Sequence, residues 1–236
     1  MNKTPAHWPG GLYAIRCVMS MCHVLIDDQG VVIMDSGLPC DRWLLQRGLR
    51  RLNIKPADVR ALLFTHGHLD HAGNLAWLKS WCGAPIYAHP LEQPHIDGTF
   101  AYTGPARWCG RLEQAGRTLF GYAPAKIDVP LTDNDELPFW GGLRVIHLPG
   151  HTDGHCGFYS AQHRLLFSAD LFASYWFNVH LPPAILNSSP EKIAVSIQRA
   201  DSLDAVGFIP NHYDFRNPGL HLQRFRQLLR ASRFET

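Results

Sequence analysis

The sequence predicts an α/β fold in which sheets are covered by helices on their outer faces, and three observations point to it. Short apolar runs and helical stretches alternate in two similar blocks. The runs are bounded by turn residues such as Asp27-Asp28-Gln29-Gly30 and Asp133-Asn134-Asp135. Several of them empty directly into histidine or aspartate, as the edge of a sheet does where it supports a site. Strands with one covered face and helices with one apolar stripe bury both by packing in layers.

In chain order, Leu12 to Val18, His23 to Ile26 and Val31 to Met34 read as a β-meander. Asp35-Ser36-Gly37 ends the third run, and Leu44, Leu45, Leu49 and Leu52 give Asp41 to Leu52 helical spacing. Val59 to Phe64 reads as a buried strand, 74–81 as a helix and Pro85 to Ala88 as a short strand. The segment 91–125 carries Pro94, Pro105, Pro124 and several aromatics, and reads as an irregular or partly helical insertion, either a lid or a packed excursion. Ile127 to Leu131 and Leu143 to Leu148 follow as strands, then a hairpin of Gly157 to Ser160 with Leu165 to Ser168. Ser189-Pro190-Glu191 has a hydroxyl before a proline at the first helical position, predicting a helix to about Leu203. Ala205 to Ile209 reads as a last strand and Gly219 to about Ala231 as a last helix. No linker divides residues 1–236, so one domain is expected.

The formal charge of +2, with 46% hydrophobic and 18% charged residues, suits a globular protein and gives no basic face for nucleic acid. Arg224, Arg226, Arg230 and Arg233 read as the solvated side of the terminal helix. No apolar h-region occurs in Met1 to Gly10, and no apolar run is long enough for a bilayer, so neither a leader nor a membrane partner is expected. Cys17, Cys22, Cys40, Cys82, Cys109 and Cys156 are scattered without a CxxC pair, which suggests reduced thiols in a cytoplasmic protein. A Cys17–Cys22 bridge is the less favoured alternative.

Chemistry concentrates in Thr65-His66-Gly67-His68-Leu69-Asp70-His71, directly after the Val59 strand. His66 and His68, two apart in extended chain, point to one side. Asp70 and His71 fall where the chain turns toward a helix and can face another centre. Four ligands from so short a segment suit two adjacent metals better than one. Leu148-Pro149-Gly150-His151, Ser168-Ala169-Asp170 and Pro210-Asn211-His212 place further ligand types after three other strands. Imidazole and carboxylate suit zinc, iron or manganese, and the lack of thiolate argues against a closed structural zinc site.

In order, Asp35-Ser36-Gly37, Thr65 to His71, Gly150-His151-Thr152, Ala169-Asp170 and Asn211-His212 resemble the motifs of the metallo-β-lactamase superfamily, in its glyoxalase-II-like and lactonase-like branch. The resemblance runs from about residue 12 to 212 and implies a four-layer αββα sandwich with two divalent metals at one edge, zinc first, iron or manganese as alternatives. It implies that His66, His68 and His151 hold the first ion, that Asp70, His71 and His212 hold the second, and that Asp170 bridges them. The departures are Ser36 for threonine, Ala169 for glycine, and Asn211 and Tyr213 around His212. Asp35 is either a turn cap or a group fixing a ligand histidine through its other ring nitrogen. Asp70 is the candidate catalytic residue, placed to orient a water ionised between the cations. Tyr175, Trp176, Phe177 and His180, close after Asp170, are candidates for a substrate wall, while His89, His147 and His155 are expected to be structural.

The implied activity is hydrolysis of a small-molecule ester, thioester or lactone. An iron-dependent sulfur or oxygen oxidoreductase and a β-lactamase-type amide hydrolase are the alternatives, the last disfavoured by Asp170. Nothing after Thr236 resembles the helical glutathione-binding extension of larger glyoxalase II proteins, so a glutathione thioester is one substrate among several. The oligomeric state, a homodimer included, is not fixed by the sequence.

Overall fold

Alternation along each strand divides the apolar side chains between two faces, and this division sets the layers. The computed structural model describes residues 8–214 and 217–232. Its first half contains β1 (Leu12–Arg16), β2 (Met21–Asp27), β3 (Gly30–Met34), α1 (Arg42–Arg51), β4 (Val59–Leu63), α2 (Leu69–Ala72), α3 (Leu75–Cys82), β5 (Ile86–Ala88), α4 (Gln93–Asp97), α5 (Arg107–Leu119) and β6 (Val129–Pro130). The second contains β7 (Glu136–Leu137), β8 (Leu143–His147), β9 (Cys156–Ser160), β10 (Leu165–Ala169), β11 (Ala173–Ser174), β12 (Val179–His180), α6 (Ile193–Asp201), β13 (Gly207–Pro210) and α7 (Pro218–Ser232).

The first six strands form one sheet in sequence order, antiparallel from β1 to β3 and parallel from β3 to β6. The second sheet runs β13-β10-β9-β8-β7, and β11 and β12 form a separate two-stranded pair, with Ser174 also bridged to Tyr213. Val32, Met34, Ala61 and Leu63 of the first sheet meet Val145, Phe158, Phe167 and Ile209 of the second in a central core. Val31, Ile33 and Leu62, one residue out of phase, pack outward on Leu45 and Leu49 of α1 and on Leu75 and Leu78 of α3. On the other side Ile146, Leu166 and Phe208 pack on Ile197 of α6 and on Leu222 and Phe225 of α7. Four layers, αββα, result. Among the described residues no helix is long and apolar enough to cross a membrane.

The sequence reading needs correction at several element ends. Strand β1 stops at Arg16, not Val18, because Cys17 N–H already bonds Ser20 O in the turn to β2. Pro190 opens a 3-10 turn, Pro190–Lys192, before α6, and α6 ends at Asp201. The Ser189 hydroxyl does not cap that turn; it donates to Asp153 Oδ1 at 2.7 Å. Cys17 and Cys22 are not bridged, their Sγ atoms lying 3.5 Å apart. Arg224 is not fully solvated, since it reaches Asp214 Oδ1 at 3.1 Å; Arg233 and most of the Met1 to Gly10 segment lie outside the described residues. The 91–125 segment is more helical than irregular. Helix α5 is its main element, and Gly110 and Gly116 face Tyr102 and Leu69 so closely that a Cβ would come within 2.5 and 2.8 Å of them.

Candidate metal centre

The histidine loop leaves β4 between two clamps. From the first sheet, Asp35 sits at φ 62°, a left-handed conformation that turns its carboxylate under the loop. Its Oδ1 accepts Thr65 N–H at 2.9 Å, and its Oδ2 accepts the Thr65 hydroxyl at 2.8 Å and His71 Nδ1–H at 3.1 Å. Asn211 also donates to Asp35 Oδ2 through its side-chain amide. The Thr65 hydroxyl in turn lies 3.1 Å from His66 Nδ1. Asp35 therefore takes the fixing role rather than the turn-cap role, directly for His71 and through Thr65 for His66.

From the other side, the buried Glu92 receives Gly67 N–H with one oxygen, and the Thr152 hydroxyl at 2.7 Å and Gly154 N–H at 2.8 Å with the other. One carboxyl thus ties the loop of His66 and His68 to the loop of His151. Burial pushes its pKa up to about 7, against the pull of these three donors. Gly67 is needed for close approach, because a Cβ there would lie 2.2 Å from His95 Cβ.

The remaining groups arrive from the second sheet. Ala169 at φ 46° and a register shift in β10 after Phe167 swing Asp170 off the strand. Asp170 N–H donates to His155 Nε2 at 3.1 Å, while His155 Nδ1–H donates to Leu148 O at 2.9 Å. His155 is thus structural, as expected. His151 is oriented by Asn187, whose Oδ1 lies 3.1 Å from Nδ1, and His212 by Met19 O at 2.9 Å from Nδ1.

Among the groups whose ligand atoms lie within 4.8 Å of one another are two separate triads, His66, His68 and His151, and Asp70, His71 and His212, and a third group, His66, His71 and Asp170, that links them. In the first, His68 Nδ1 and His151 Nε2 face each other at 2.9 Å. Asp170 Oδ2 lies 3.9 Å from His66 Nε2, 3.5 Å from His151 Nε2 and 3.0 Å from His212 Nε2, and its Oδ1 lies 3.4 Å from His71 Nε2. Asp170 therefore stands between the triads. Asp70 Oδ2 is 3.5 Å from His71 Nε2 and 3.4 Å from His212 Nε2.

Burial, and then the neighbouring charge of His71, hold the pKa of His66 well below the usual imidazole range; burial and His151 do the same for His68. Burial also opposes charge on His71 and His212, but there the Asp170 and Asp70 carboxylates win, lifting His71 well above its ordinary range and His212 to about 9. Burial would raise Asp170, yet His212 and His71 hold it well below the usual carboxylate range. A metal fits this set. His66 Nε2, His71 Nε2 and Asp170 Oδ1 are buried and make no hydrogen bond among the described residues, the last two facing each other at 3.4 Å, and a cation would satisfy all three.

The other predicted residues lie around this cluster. Tyr175 is half-buried, its ring stacked on Phe177 at 5.8 Å, and burial followed by the Asp170 charge raises its pKa. Trp176 and Phe177 are 72% and 70% exposed at the tip of the β11–β12 hairpin. His180 Nδ1 is taken by Leu181 O at 2.9 Å. Glu92 and Asn187 were missed by sequence reasoning. Each acts on a loop at least 25 residues away, and no local pattern signals that.

Comparison with known proteins identifies the family and the fold. A family model described as the metallo-β-lactamase superfamily matches residues 15–210, and the chain belongs to that superfamily as a metallohydrolase. It is 24% identical over 197 residues to the probable metallo-hydrolase YflN of Bacillus subtilis (strain 168), covering 77% of this chain and 74% of YflN. It is 29% identical over 167 residues to the hydroxyacylglutathione hydrolase GloC of Haemophilus influenzae, covering 64% of this chain and 65% of GloC. The crystal structure of the metallo-β-lactamase family protein TTHA1429 from Thermus thermophilus superposes with a TM-score of 0.76 at 22% identity, over 94% of this chain and 79% of that one. The class B3 di-zinc metallo-β-lactamase LRA-12 from an Alaskan soil metagenome gives 0.69 at 21% identity, over 100% and 97%. At these identities the two structures speak for the fold.

Proposed function

We propose that the chain hydrolyses a small ester, thioester or lactone with two divalent metal ions, zinc in the first place and iron or manganese as substitutes. The observation that carries this is the position of the Asp170 carboxylate, one oxygen toward His71 and the other toward His66, His151 and His212. His66, His68 and His151 are assigned to the first ion, Asp70, His71 and His212 to the second, and Asp170 to both. The relationship to GloC supports a thioester within the substrate class. Six unbridged cysteines support a reducing compartment such as the cytoplasm.

When bound, such ions supply Lewis acidity and bring the pKa of a water toward neutrality. The protein's part is orientation and proton handling. Asp35 keeps His71 Nε2, and through Thr65 His66 Nε2, aimed inward with the proton on the outer nitrogen. Asn187 and Met19 O do the same for His151 and His212. Asp70 is half-buried beside both His71 and His212, which suits its carboxylate to hold the attacking water's proton and fix its direction.

A panel of esters, thioesters and lactones, run with metal analysis, tests the reading. Turnover with two zinc per chain is expected. Asp70→Asn should lower that turnover by at least ~100-fold while the protein stays folded, the scale for losing a group that acts on the nucleophile. Near-normal rates in Asp70→Asn would remove Asp70 from the chemistry, and iron with oxygen uptake would replace hydrolysis by an oxidoreductase.

A further inference from the structure

Four of the five clustered histidines have their outward nitrogen occupied: His66 by Thr65, His71 by Asp35, His151 by Asn187 and His212 by Met19 O. His68 differs. It turns Nδ1 toward His151, 2.9 Å away, while its Nε2 is buried and makes no hydrogen bond. A histidine that offers its Nδ1 lone pair to a metal carries its proton on Nε2, and that buried N–H requires an acceptor.

Helix α5 brings two groups to this ring. His68, Cys109 and Glu113 present side-chain atoms within 4.8 Å of one another. The Glu113 carboxylate is held firmly: Oε1 accepts Leu69 N–H at 2.9 Å, Oε2 accepts the Tyr102 hydroxyl at 2.8 Å, and Arg117 Nη2 stands 3.7 Å away. A carboxylate has about four lone-pair sites, so acceptor capacity remains, whereas a thiol sulfur is a weak acceptor.

We propose that Glu113 is a positioning residue, its carboxylate receiving the His68 Nε2–H directly or through one water. It thereby fixes the tautomer and ring angle with which His68 faces His151. Because Glu113 also holds Leu69 N–H, the next residue in the chain, it grips both the backbone and the ring of this part of the loop. The helix within the 91–125 segment then belongs to the metal centre as a brace, and Tyr102 aims the brace. The proposal rests on the reading of His68 as a metal ligand.

The test is zinc affinity measured by competition with a chromophoric chelator, for the parent and for Glu113→Ala, Glu113→Gln and Cys109→Ala, together with visible spectra of the cobalt forms. Glu113→Ala should weaken zinc binding ~10–100-fold, the range for losing a ligand's outer partner, and should shift the cobalt bands. Glu113→Gln retains an acceptor oxygen and should recover most of the affinity; Cys109→Ala should leave it near the parent's. Unchanged affinity and spectrum in Glu113→Ala, or a larger loss in Cys109→Ala, overturns the proposal. If Glu113→Ala does not fold, nitrogen NMR of the zinc-loaded parent decides: a protonated, slowly exchanging His68 Nε2 supports it, and a protonated Nδ1 refutes it. A parent that binds no zinc would refute the metal reading itself, while tight parental binding indifferent to residue 113 would refute only the role of Glu113.

Discussion

The two triads share one seven-residue loop, yet they occupy opposite electrostatic settings. His66, His68 and His151 are buried, and burial holds His66 and His68 as neutral bases. His71 and His212 are held cationic by Asp170 and Asp70, and their triad is partly open to solvent through Asp70 and His212. The ligand types differ by a single substitution, carboxylate for imidazole. The Asp170 carboxylate first, and Asp70 after it, decide that a cation must compete with protons at His71 and His212. The first triad could accept a cation at His66 and His68 as they stand; at the second a cation would have to displace protons from His71 and His212.

Asp170 is the one group common to both, so its loss should be the largest effect. Asp170→Asn removes the charge that faces His66, His71, His151 and His212 while keeping the shape. Turnover should fall ~10³-fold, the scale for removing a key electrostatic group, and metal analysis should show less than two ions per chain. Two ions at full occupancy in the Asn variant would break the claim that Asp170 serves both centres.

Asp35 sharpens the comparison because its two connections are unequal. It bonds His71 Nδ1–H itself but reaches His66 only through the Thr65 hydroxyl. Asp35→Ala should weaken metal binding ~10–100-fold, with the second equivalent lost first in a chelator titration. Equal weakening of both equivalents would mean that Asp35 supports the loop as a whole rather than His71 in particular.

The pH dependence separates the centres without mutation. His212 rises from its ordinary value of 6.5 to about 9, so its attraction to Asp170 in the metal-free protein is fully present below 6.5 and is lost as pH climbs through about 9. Over the same window proton competition at His212 disappears. Affinity for the second zinc should therefore rise from pH 6.5 to 9 with proton release, a competition that His66 and His68, both lowered well below the usual imidazole range, do not add to at the first. Calorimetry in buffers of different ionisation enthalpy counts the protons. A pH-independent second equivalent would erase the distinction.

The same contrast explains what the sequence revealed. Histidine or aspartate follows β4, β8, β10 and β13 closely, so apolar run, turn and ligand type singled out His66, His68, His71, His151, Asp170 and His212, while their meeting at one edge between two sheets was implied by the family resemblance. The groups that orient them were legible only where they too end a strand, as Asp35 does. Glu92, Asn187 and Glu113 act across 25, 36 and 44 residues on groups that only the folded chain brings near. Helix α5 was hidden for a related reason. Its inward face carries Cys109, Glu113 and Arg117, two of them charged-type residues, and its glycines serve close packing against Tyr102 and Leu69. A periodicity search expects apolar residues on the buried stripe.

Ala169 provides the smallest and sharpest test, because it asks what the Asp170 bend costs. At φ 46° a Cβ crowds the neighbouring carbonyl, a penalty of roughly 1–2 kcal/mol, of which glycine's extra freedom in the unfolded chain would return about 0.4–1. Ala169→Gly should therefore raise stability by about 0.5 kcal/mol in denaturant melts, with zinc stoichiometry unchanged. Ala169→Val, whose branched side chain tolerates this conformation less, should be destabilised and should weaken both metal equivalents together, because Asp170 lies between the centres. A valine variant that loses stability yet binds both ions as the parent does would show that Asp170 is placed by His155 and its other partners rather than by the backbone turn.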